Sequence, residues 1–437
     1  MDNYKYLIIG GGVAGTTAAE TLRQNNKDGS IAIVSDEPRM YSRIMLSKAN
    51  FFLEKIPFDN IWLRTEKWYT ENKIDFIGDT LATKLNIQNK TIELKDGRVL
   101  QYEKLLIATG GEARPWILPG SKKKGICYVR DLGQAKELIE NVKTTKQAIT
   151  VGSGFVSFEM CEMMRLAGLE VTLIMREPYY WYPLLDEESA KMIENSLQKG
   201  GVKIMRNSEV AEILGNAHIE GVIVKGNQPS LEATAGQAKI ECQLALVGIG
   251  LVCNLDWIKE AGIKINKGIL ANEYLETNIP DVYAAGDVAE FNDLVLGERV
   301  QLGNWVNAQM QGRAAANNML ASSRISGAER KPFKTVSFYT AIGFGLNIAM
   351  SGDVRVKPDP STPLRASKII KRGSPEINSF ARIIIDINDE IIGATFINRT
   401  QDMAPINKLI ESNFKITGHE SELSDINFDL KQLLPKQ

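Results

Sequence analysis

The hydrophobic and polar positions repeat one arrangement twice: a short apolar run, a glycine-rich turn, an amphipathic helix and a second apolar run. In the first copy, residues 5–9 (KYLII) are too few for a helix and rich in β-formers, which predicts a buried parallel strand. The turn at 10–15 (GGGVAG) follows, then a helix over 16–23 and a strand over 31–34. Elements in this order predict a βαβ unit.

The second copy has the same order further along the chain. A strand is predicted over 148–151, followed by the turn 152–157 (GSGFVS), a helix ending at Leu166 and a strand over 171–175. Two separated βαβ units, each opened by a glycine turn, predict two dinucleotide-type domains.

The rest of the chain connects and extends these units. Apolar runs that end in glycine at 105–111 and 244–250 are typical of crossings between domains, and the chain after about Lys331 is rich in predicted strands. The other predicted elements are a strand over 282–287, a helix over 308–320 and a hairpin of 383–387 with 391–396 around 388–390. The predicted fold class is α/β, with two Rossmann-like domains and a C-terminal α+β domain.

The first glycine turn has the residue types that a pyrophosphate requires. Gly10 permits a tight turn, Gly12 leaves room for phosphate beside the backbone, and Gly15 allows close helix–strand packing. The N–H groups at the helix start then face the phosphates. Asp36 and Glu37 follow the second strand, where an acid accepts from a ribose hydroxyl. A merely structural turn is the alternative, and the complete order of elements favours dinucleotide binding.

The second glycine turn is a variant of the first. Gly152 and Gly154 hold the first two glycine positions, whereas Ser157, which is small enough for close packing, replaces the third. A strand, a turn and a helix again follow one another in order. The same chemistry is therefore predicted for a second nucleotide.

The residues after the second unit bear on the choice of nucleotide. Met175 and Arg176 stand where a ribose-binding acid is expected, and a guanidinium there pairs with a 2′-phosphate, which favours NADPH over NADH. Glu177 follows directly and is able to take the place of the missing acid. Both nucleotides therefore stay open, with the balance toward NADPH.

Composition narrows the classes of protein. Among 437 residues, 52 basic side chains against 53 acidic ones give a net charge of −1, so no overall field attracts nucleic acid or anionic lipid. With 44% hydrophobic and 24% charged residues the chain is neither disordered nor a coiled coil. Four cysteines make no disulfide framework. We see no secretory signal and no run of 18 apolar residues, and we expect a cytoplasmic protein without an integral membrane segment.

The motifs together resemble one known family. With both glycine turns, 105–111 (LLIATGG) and 282–287 (VYAAGD) in this order, the chain resembles the pyridine nucleotide–disulfide oxidoreductase superfamily of flavoproteins with two dinucleotide-binding domains. Residues 35–48 (SDEPRMYSRIMLSK) are similar to its ferredoxin reductase-like and rubredoxin reductase-like members. The resemblance implies FAD on a first domain (1–112 and 251–325), NADPH or NADH on a second (113–250), and a C-terminal α+β domain at 326–437.

The resemblance also implies roles for individual residues. Lys48, Phe155, Glu159 and Tyr339 would lie at the reacting rings, with an aromatic gate at Phe155 and a glutamate on the nicotinamide amide at Glu159. The remaining positions would contact the cofactors: Val13, Ala14, Arg43, Ala108, Thr109, Gly110, Arg130, Val156, Gly248, Gly250, Gly286, Asp287, Trp305, Ala308 and Gln309. Solvated charges, core aromatics or ordinary helix packing are the alternatives for single members of this set.

Departures from the family pattern narrow the chemistry. Disulfide reductases need a redox cysteine just after the first unit, and residues 40–45 (MYSRIM) contain none. Thiol peroxidases also need a histidine in the first glycine turn, where this chain has Val13. Cys127, Cys161, Cys242 and Cys253 form no CxxC pair, and we predict core packing for Cys161. His218 and His419 have no ligand-spaced companions, so no metal site is predicted.

Two features of the C-terminal third suggest partners. Residues 391–410 resemble a closing domain that often forms a homodimer interface. Arg355, Lys357, Arg365, Lys368, Lys371 and Arg372 stand against only Asp359, so a small acidic electron carrier would find a docking site there. A solvated, mobile loop is the alternative.

These observations lead to a hypothesis of an FAD-dependent NAD(P)H oxidoreductase. The nicotinamide would give a hydride to the flavin, and the electrons would pass to an iron–sulfur or rubredoxin-type carrier protein, because a thiol relay is missing. The first alternative is an NAD(P)H oxidase or a quinone or dye reductase with a small-molecule acceptor. The second is a flavoprotein redox sensor or assembly subunit without enzymatic activity.

Overall fold

The computed structural model describes residues 2–226, 237–321, 329–355 and 366–435. The chain divides into two compact units, each assembled from separated segments. Unit 1 contains Met1–Ser42, Asp59–Glu112 and Leu251–Thr335, and unit 2 contains Arg43–Phe58, Ala113–Gly250 and Val336–Gln437. These units do not coincide with the three predicted domains, whose boundaries stay a prediction.

Helices and strands alternate along both units. The helices of the described residues are α1 (Val13–Asn25), α2 (Ala49–Phe52), α3 (Glu66–Glu71), α4 (Leu132–Thr144), α5 (Phe155–Leu166), α6 (Glu187–Lys199), α7 (Asp256–Glu260), α8 (Trp305–Ala321), α9 (Met403–Glu411) and α10 (Glu420–Ser424). The strands are β1 (Asp2–Ile9), β2 (Ile31–Val34), β3 (Ile74–Ile77), β4 (Ala82–Asn86), β5 (Thr91–Leu94), β6 (Val99–Ile107), β7 (Glu112–Ala113), β8 (Ile126–Cys127), β9 (Gln147–Val151), β10 (Glu170–Ile174), β11 (Val202–Met205), β12 (Ser208–Leu214), β13 (Gly221–Gly226), β14 (Gln237–Glu241), β15 (Leu244–Val247), β16 (Leu251–Val252), β17 (Ile269–Leu270), β18 (Val282–Ala284), β19 (Ala289–Asp293), β20 (Glu298–Gln301), β21 (Phe338–Gly343), β22 (Leu346–Gly352), β23 (Ala366–Ser374), β24 (Ser379–Asp386) and β25 (Ile391–Ile397).

A sheet in the order β3-β2-β1-β6-β5-β4 forms the centre of unit 1. Strands β3, β2, β1 and β6 are parallel, and β18 extends them by pairing with the last residues of β6. Strands β4 and β5 add an antiparallel pair at the other half of β6. The carboxyl ends of β1, β2, β6 and β18 therefore meet at one edge, where ligands bind in open α/β sheets.

Helices α1 and α8 cover one face of this sheet and share a core. Ala18, Leu22, Ala315 and Met319 are fully buried there. Gly312 allows the close approach, because a Cβ at this position would lie 2.2 Å from the carbonyl oxygen of Ala14. Helix α8 begins three residues before the predicted 308–320, and α1 begins at Val13, directly after its N-cap Gly12.

Unit 2 contains the second predicted parallel sheet, in the order β11-β10-β9-β15-β8. Ile174 pairs with Val151, and Val247 also pairs with Val151, so the carboxyl ends of β10, β9 and β15 are level. Helix α5 packs on β9, β10 and β15 of this sheet. The sequence prediction of a second βαβ unit is confirmed by this arrangement.

The C-terminal part of unit 2 is an antiparallel sheet in the order β21-β22-β25-β24-β23. The predicted hairpin is confirmed, since β24 and β25 pair across the turn at 388–390. Arg382 is fully buried in this sheet, with Nη1 3.1 Å from a carboxylate oxygen of Asp186. This ion pair ties β24 to the residue that caps α6.

Candidate functional site

The first glycine turn joins β1 to α1, and the structure tests the role of each glycine. Gly10 has φ +117°, and a Cβ there would lie 2.2 Å from the carbonyl oxygen of Ala108. A Cβ at Gly15 would lie 1.9 Å from the carbonyl oxygen of Gly10. Around Gly12, in contrast, a Cβ would meet no described atom within 4 Å. Two glycines permit the fold, and the third borders open space beside the start of a helix.

The two acids after β2 differ in their surroundings. Asp36 is exposed, whereas Glu37 is half-buried and accepts a 2.5 Å hydrogen bond from the hydroxyl of Tyr41. This hydroxyl holds the Glu37 carboxylate in one orientation. Of the two predicted ribose acceptors, Glu37 is the better oriented.

The turn at Gly286 lies close to the first glycine turn in unit 1. Gly286, at φ +82°, lies in contact with α1 and α8: a Cβ there would be 3.2 Å from the Cβ of Ala14 and 3.5 Å from that of Ala308. Asp287 follows Gly286, and its carbonyl oxygen accepts from Gln301 at 2.7 Å. The structure therefore brings Ala14, Gly286, Asp287 and Ala308 of the predicted set together.

Gln311 holds the turn at Gly286, and the sequence analysis does not predict this residue. Its Oε1 accepts a 2.8 Å hydrogen bond from the backbone N–H of Gly286. The side chain is fully buried, and its Nε2 has no hydrogen-bond partner among the described residues. A buried N–H group without a partner is costly in a folded protein, so this atom fits a ligand acceptor. The predicted glutamine, Gln309, is only half-buried.

The other predicted residues of unit 1 lie near these turns or beside them. Ala108 is buried at the end of β6, Thr109 is exposed and Gly110 has φ +67°. Trp305 and Val13 are half-buried first residues of α8 and α1. All five lie on segments that follow the carboxyl ends of β1 or β6 or start a helix.

In unit 2 the second glycine turn is built like the first. Gly152 has φ +104°, and a Cβ there would lie 2.4 Å from the carbonyl oxygen of Gly248. A Cβ at Gly154 would have that same oxygen, 3.8 Å away, as its one described neighbour within 4 Å. Ser157 is accommodated because Gly248 has no side chain: a Cβ there would lie 2.5 Å from the serine Oγ. The missing side chain of Gly248 therefore makes room for a serine at the position where the first turn has Gly15.

Three predicted residues follow the end of β10, beside this turn. Gly152 donates to the carbonyl oxygen of Ile174 at 2.9 Å, so the residues after β10 start next to the glycine turn. Met175 is buried, and the Arg176 side chain is 83% exposed with its Nε 3.2 Å from Glu177. Glu177 is 20% exposed, and its Oε2 has no partner among the described residues. The carboxylate, more than the guanidinium, is held at the site.

Glu159 lies at the centre of a polar cluster on α5. One of its carboxylate oxygens forms an ion pair with Nζ of Lys48, and the other accepts from the hydroxyl of Ser47. The Glu159 side chain is 13% exposed and that of Lys48 38% exposed. The structure thus joins two predicted residues, Lys48 and Glu159, and adds Ser47, which was not predicted.

Phe155, the first residue of α5, contacts two other aromatic rings. Its ring is stacked on that of Tyr339, with centroids 5.3 Å apart and an interplanar angle of 14°. It also contacts the ring of Trp181, with centroids 4.5 Å apart and an angle of 36°. Phe155 and Tyr339, predicted from two distant segments, are therefore neighbours in unit 2.

The remaining predicted residues of unit 2 border these two groups. Arg43 donates to the carbonyl oxygen of Arg130 at 2.6 Å, which fixes the segment that precedes Lys48. Val156 is 39% exposed at the start of α5. Gly250 has φ +104°, and its carbonyl oxygen accepts from the backbone N–H of Arg114.

Three of the four cysteines are buried in surroundings that disfavour thiol chemistry. Cys161 is fully buried in α5, which confirms its predicted core packing. Burial raises the pKa of Cys127 to about 11 and the pKa values of Cys161 and Cys242 to about 12. These thiols stay protonated near neutral pH, and a protonated thiol is a poor nucleophile. Over residues 2–226, 237–321, 329–355 and 366–435, no cluster of side chains suits a metal ion.

The predicted basic docking patch is wrong for Arg372. This side chain is 2% exposed and pairs with Asp402 at 2.9 Å, because it fills the space between β23 and the last residues of the chain. The other described cations of the patch form ion pairs: the half-buried Arg355 pairs with Asp353, and the exposed Lys368 and Lys371 pair with Glu420 and Glu188. Lys357, Asp359 and Arg365 lie outside the described residues.

The proposed interface segment 391–410 is mostly interior. Strand β25 lies in the middle of its sheet, and each of its seven residues is buried. Pro405, Ile406, Leu409 and Ile410 of α9 are buried as well. The buried residues of this segment pack inside unit 2, and the homodimer stays a prediction.

Comparison with known proteins identifies relatives over the whole chain. A family described as pyridine nucleotide-disulphide oxidoreductase matches residues 4–312. A rubredoxin-NAD(+) reductase of Pseudomonas putida is 30% identical over 319 residues, covering 72% of this chain and 80% of the relative. A nitrite reductase [NAD(P)H] of Bacillus subtilis is 27% identical over 430 residues, which are 97% of this chain and 48% of the relative. This chain thus spans about half the length of the nitrite reductase.

Among solved structures, a ferredoxin reductase from Rhodopseudomonas palustris superimposes with a TM-score of 0.87 at 24% identity. The match covers 100% of both chains. This likeness establishes a common fold. In the described part of the chain, none of the helices is both long and apolar enough to cross a bilayer.

Proposed function

Because this chain belongs to the pyridine nucleotide-disulphide oxidoreductase family, we propose that it is an FAD-dependent reductase that takes electrons from NAD(P)H and delivers them to a small carrier protein. The family uses FAD and a pyridine nucleotide. The observation that supports this function best is the presence of two open glycine turns, at Gly12 and Gly154, together with three buried cysteines whose pKa values are raised.

The residues of unit 1 fit FAD. Gly12 leaves space for a pyrophosphate at the start of α1, where backbone N–H groups and the helix dipole favour an anion. Glu37 offers a carboxylate to a ribose, and Asp287 and Gln311 offer an acceptor and a donor near the same turn. When bound, FAD accepts a hydride and then releases electrons to an acceptor.

The residues of unit 2 fit the pyridine nucleotide. Its pyrophosphate would lie at Gly154, and the nucleotide would then extend along α5 toward Glu159, which lies one turn beyond Phe155 on the same face. The Lys48–Glu159 ion pair fixes both side chains, so the Glu159 carboxylate is oriented to accept from the nicotinamide amide. Such positioning makes the transfer effectively unimolecular without an acid–base triad.

A one-electron carrier is the proposed acceptor. Two relatives reduce such carriers by name, a rubredoxin-NAD(+) reductase and a ferredoxin reductase. Thiol acceptors are disfavoured by the raised pKa values of the buried cysteines. The basic residues of the C-terminal third do not support a docking site for this carrier. The proposal therefore rests on the chemistry of the two glycine turns.

Anaerobic stopped-flow spectroscopy tests this function. The FAD-loaded protein should bleach near 450 nm on mixing with NADH and regain its colour on mixing with a rubredoxin or a [2Fe–2S] ferredoxin. Fast reoxidation by oxygen or a quinone, with no response to either carrier, would support a small-molecule acceptor instead. If FAD stays firmly bound and neither NADH nor NADPH reduces it, the result would favour a redox sensor.

For the nucleotide, we propose that NADH is preferred over NADPH, the reverse of the balance that Arg176 alone favours. In support, Glu177 holds a largely buried carboxylate beside the glycine turn, with one oxygen that has no partner among the described residues. A ribose diol donates to such an oxygen, whereas a 2′-phosphate is repelled by it. Arg176 is mostly exposed and pairs with that same carboxylate.

A pair of neighbouring variants tests this preference. We expect Glu177→Gln to raise the KM for NADH by about tenfold, the loss of roughly one charge-assisted hydrogen bond, and to leave the KM for NADPH unchanged or lower. Arg176→Ala should change the KM values for NADH and NADPH little. Initial-rate kinetics measure both KM values in each variant. A selective rise for NADPH in Arg176→Ala, with no effect of Glu177→Gln, would instead establish the phosphate contact.

Gln311 provides a further prediction for FAD. Gln311→Leu removes the partner of the Gly286 N–H group inside a buried turn, so FAD binding should weaken by about 5- to 100-fold. Quenching of flavin fluorescence by the apoprotein measures the Kd. Asn317→Ala, on the exposed side of α8, is the matched control. An unchanged Kd in Gln311→Leu would show that the turn is held without this side chain.

A further inference from the structure

Trp181 lies in a loop that has no role in the proposed function so far. We define the aromatic loop as residues 179–186 (YYWYPLLD). Trp181 is 3% exposed, contacts both Phe155 and Phe158, and has φ +56°, a left-handed conformation that is unfavourable for a bulky side chain. Strained residues of this kind persist only where their surroundings hold them, and they are frequent at ligand sites.

Four interactions hold the aromatic loop in place. The backbone N–H of Tyr180 donates to Glu194 at 2.9 Å, and its hydroxyl donates to the carbonyl oxygen of Gly154 at 3.0 Å. At the other end, Asp186 pairs with the buried Arg382, which also donates to the carbonyl oxygen of Leu184. The loop is therefore tied to the glycine turn that precedes Phe155 and to the C-terminal sheet.

The rings of the strained Trp181 and of Tyr339 both contact the Phe155 ring. Tyr339 belongs to β21, whose turn is anchored on two helices: Glu162 of α5 accepts from the backbone N–H of Phe344, and Ser196 of α6 donates to its carbonyl oxygen. The ring contacts of Phe155 lie within the distances at which aromatic pairs attract. Phe155 is thus held in place from two independent anchors.

A nicotinamide ring would have to pass this position. It is flat, it follows a pyrophosphate bound at Gly154, and its way to Glu159 crosses the first turn of α5, where Phe155 lies. We propose that Trp181 is a positioning residue that holds, or clamps, the Phe155 ring over this path. The Phe155 ring must then move before the nicotinamide can bind, whereas the pyrophosphate and adenosine bind without moving it. The inference rests on the proposed use of a pyridine nucleotide by unit 2.

The test compares two ligands of the oxidised, FAD-loaded protein by isothermal titration calorimetry. NAD⁺ has the nicotinamide, and ADP-ribose lacks it but has the same pyrophosphate and adenosine. In Trp181→Leu we expect the Kd of NAD⁺ to fall by about two- to tenfold, because the attraction between the rings no longer opposes opening. The Kd of ADP-ribose should not change. Trp181→Phe should restore most of the wild-type difference.

Two further variants keep the test decisive. Tyr339→Leu removes the other ring that contacts Phe155 and should lower the Kd of NAD⁺ alone. This variant tests the clamp even if Trp181→Leu folds poorly. Trp116→Leu, which removes another buried tryptophan of unit 2 away from Phe155, is the control for general loosening and should not separate the ligands. In a Phe155→Ala background, Trp181→Leu should have no further effect, because the clamped ring is missing.

Each other outcome overturns the clamp. Equal changes for NAD⁺ and ADP-ribose would make Trp181 a structural residue of the loop. Weaker binding of NAD⁺ alone would make it a contact that supports the nicotinamide. Unchanged affinities in the folded Trp181 and Tyr339 variants would show that Phe155 is not held. If the wild type binds neither ligand, the proposed function fails before the clamp is tested, so the two failures are distinguishable.

Discussion

Replacing Gly12 by alanine should leave a folded protein that has lost most of its affinity for FAD. At Gly12 the backbone has φ −71°, which alanine adopts without strain, and the added methyl group meets no described protein atom within 4 Å. The methyl group instead enters the space proposed for a pyrophosphate. Overpacking of a close contact costs about 1–3 kcal/mol, which corresponds to a Kd for FAD that is about 5- to 150-fold higher.

Two measurements separate this effect from misfolding. The thermal unfolding midpoint of the apoprotein should match that of the wild type, and flavin fluorescence quenching should report the weaker binding. Gly15→Ala is the contrasting variant, because its Cβ would lie 1.9 Å from a backbone oxygen and should destabilise the fold itself. Tight FAD binding by Gly12→Ala would show that the pyrophosphate does not approach this turn.

The corresponding change in the second turn should give the opposite selectivity. Gly154 has φ −85°, and a Cβ there would lie no closer than 3.8 Å to the described atoms around it. We expect Gly154→Ala to retain FAD and its visible spectrum. The Kd for NADH, and with it the concentration needed for flavin bleaching, should rise about 5- to 150-fold, by the same steric argument.

A dithionite control completes this experiment. Chemical reduction should bleach Gly154→Ala as it does the wild type, which would show that the flavin itself remains competent. If Gly154→Ala loses FAD, or if Gly12→Ala loses NADH binding while it keeps FAD, then the assignment of the two turns must be exchanged. Normal bleaching by low NADH in Gly154→Ala would remove the second turn from the site.

The parts of the fold that could be predicted are those with a local sequence pattern. Both βαβ units, the C-terminal hairpin and the core position of Cys161 follow from short apolar runs, glycine turns and helix periodicity. The predicted helix at 308–320 starts three residues late, because the N-cap signal of Asn304, whose Oδ1 accepts from the backbone N–H of Asn307, was not used. Local patterns also identified Gly10, Gly12 and Gly15, because steric demands on a turn act over a few residues.

Other parts depend on contacts between distant residues and left no local signal. Lys48 and Glu159 are 111 residues apart, and only the family resemblance linked them. The local sequence predicts a surface cation at Arg372, because its partner Asp402 is 30 residues away. Gln311 did carry a signal: with Ala308, Gly312 and Ala315 it lies on the small, buried face of α8, where a glutamine is out of place unless it has a partner.

The interleaving of the two units bears on how such a protein can be recombined. Residues 43–58 belong to unit 2, yet they stand in the chain between two segments of unit 1. A chimera that exchanged only 113–250 with a relative would import a foreign Glu159 and keep the native Lys48, which splits an ion pair between two parents. Exchanges that move 43–58 and 336–437 together with 113–250 also keep the Asp186–Arg382 ion pair within one parent, and they should yield working hybrids far more often than an exchange of 113–250 alone.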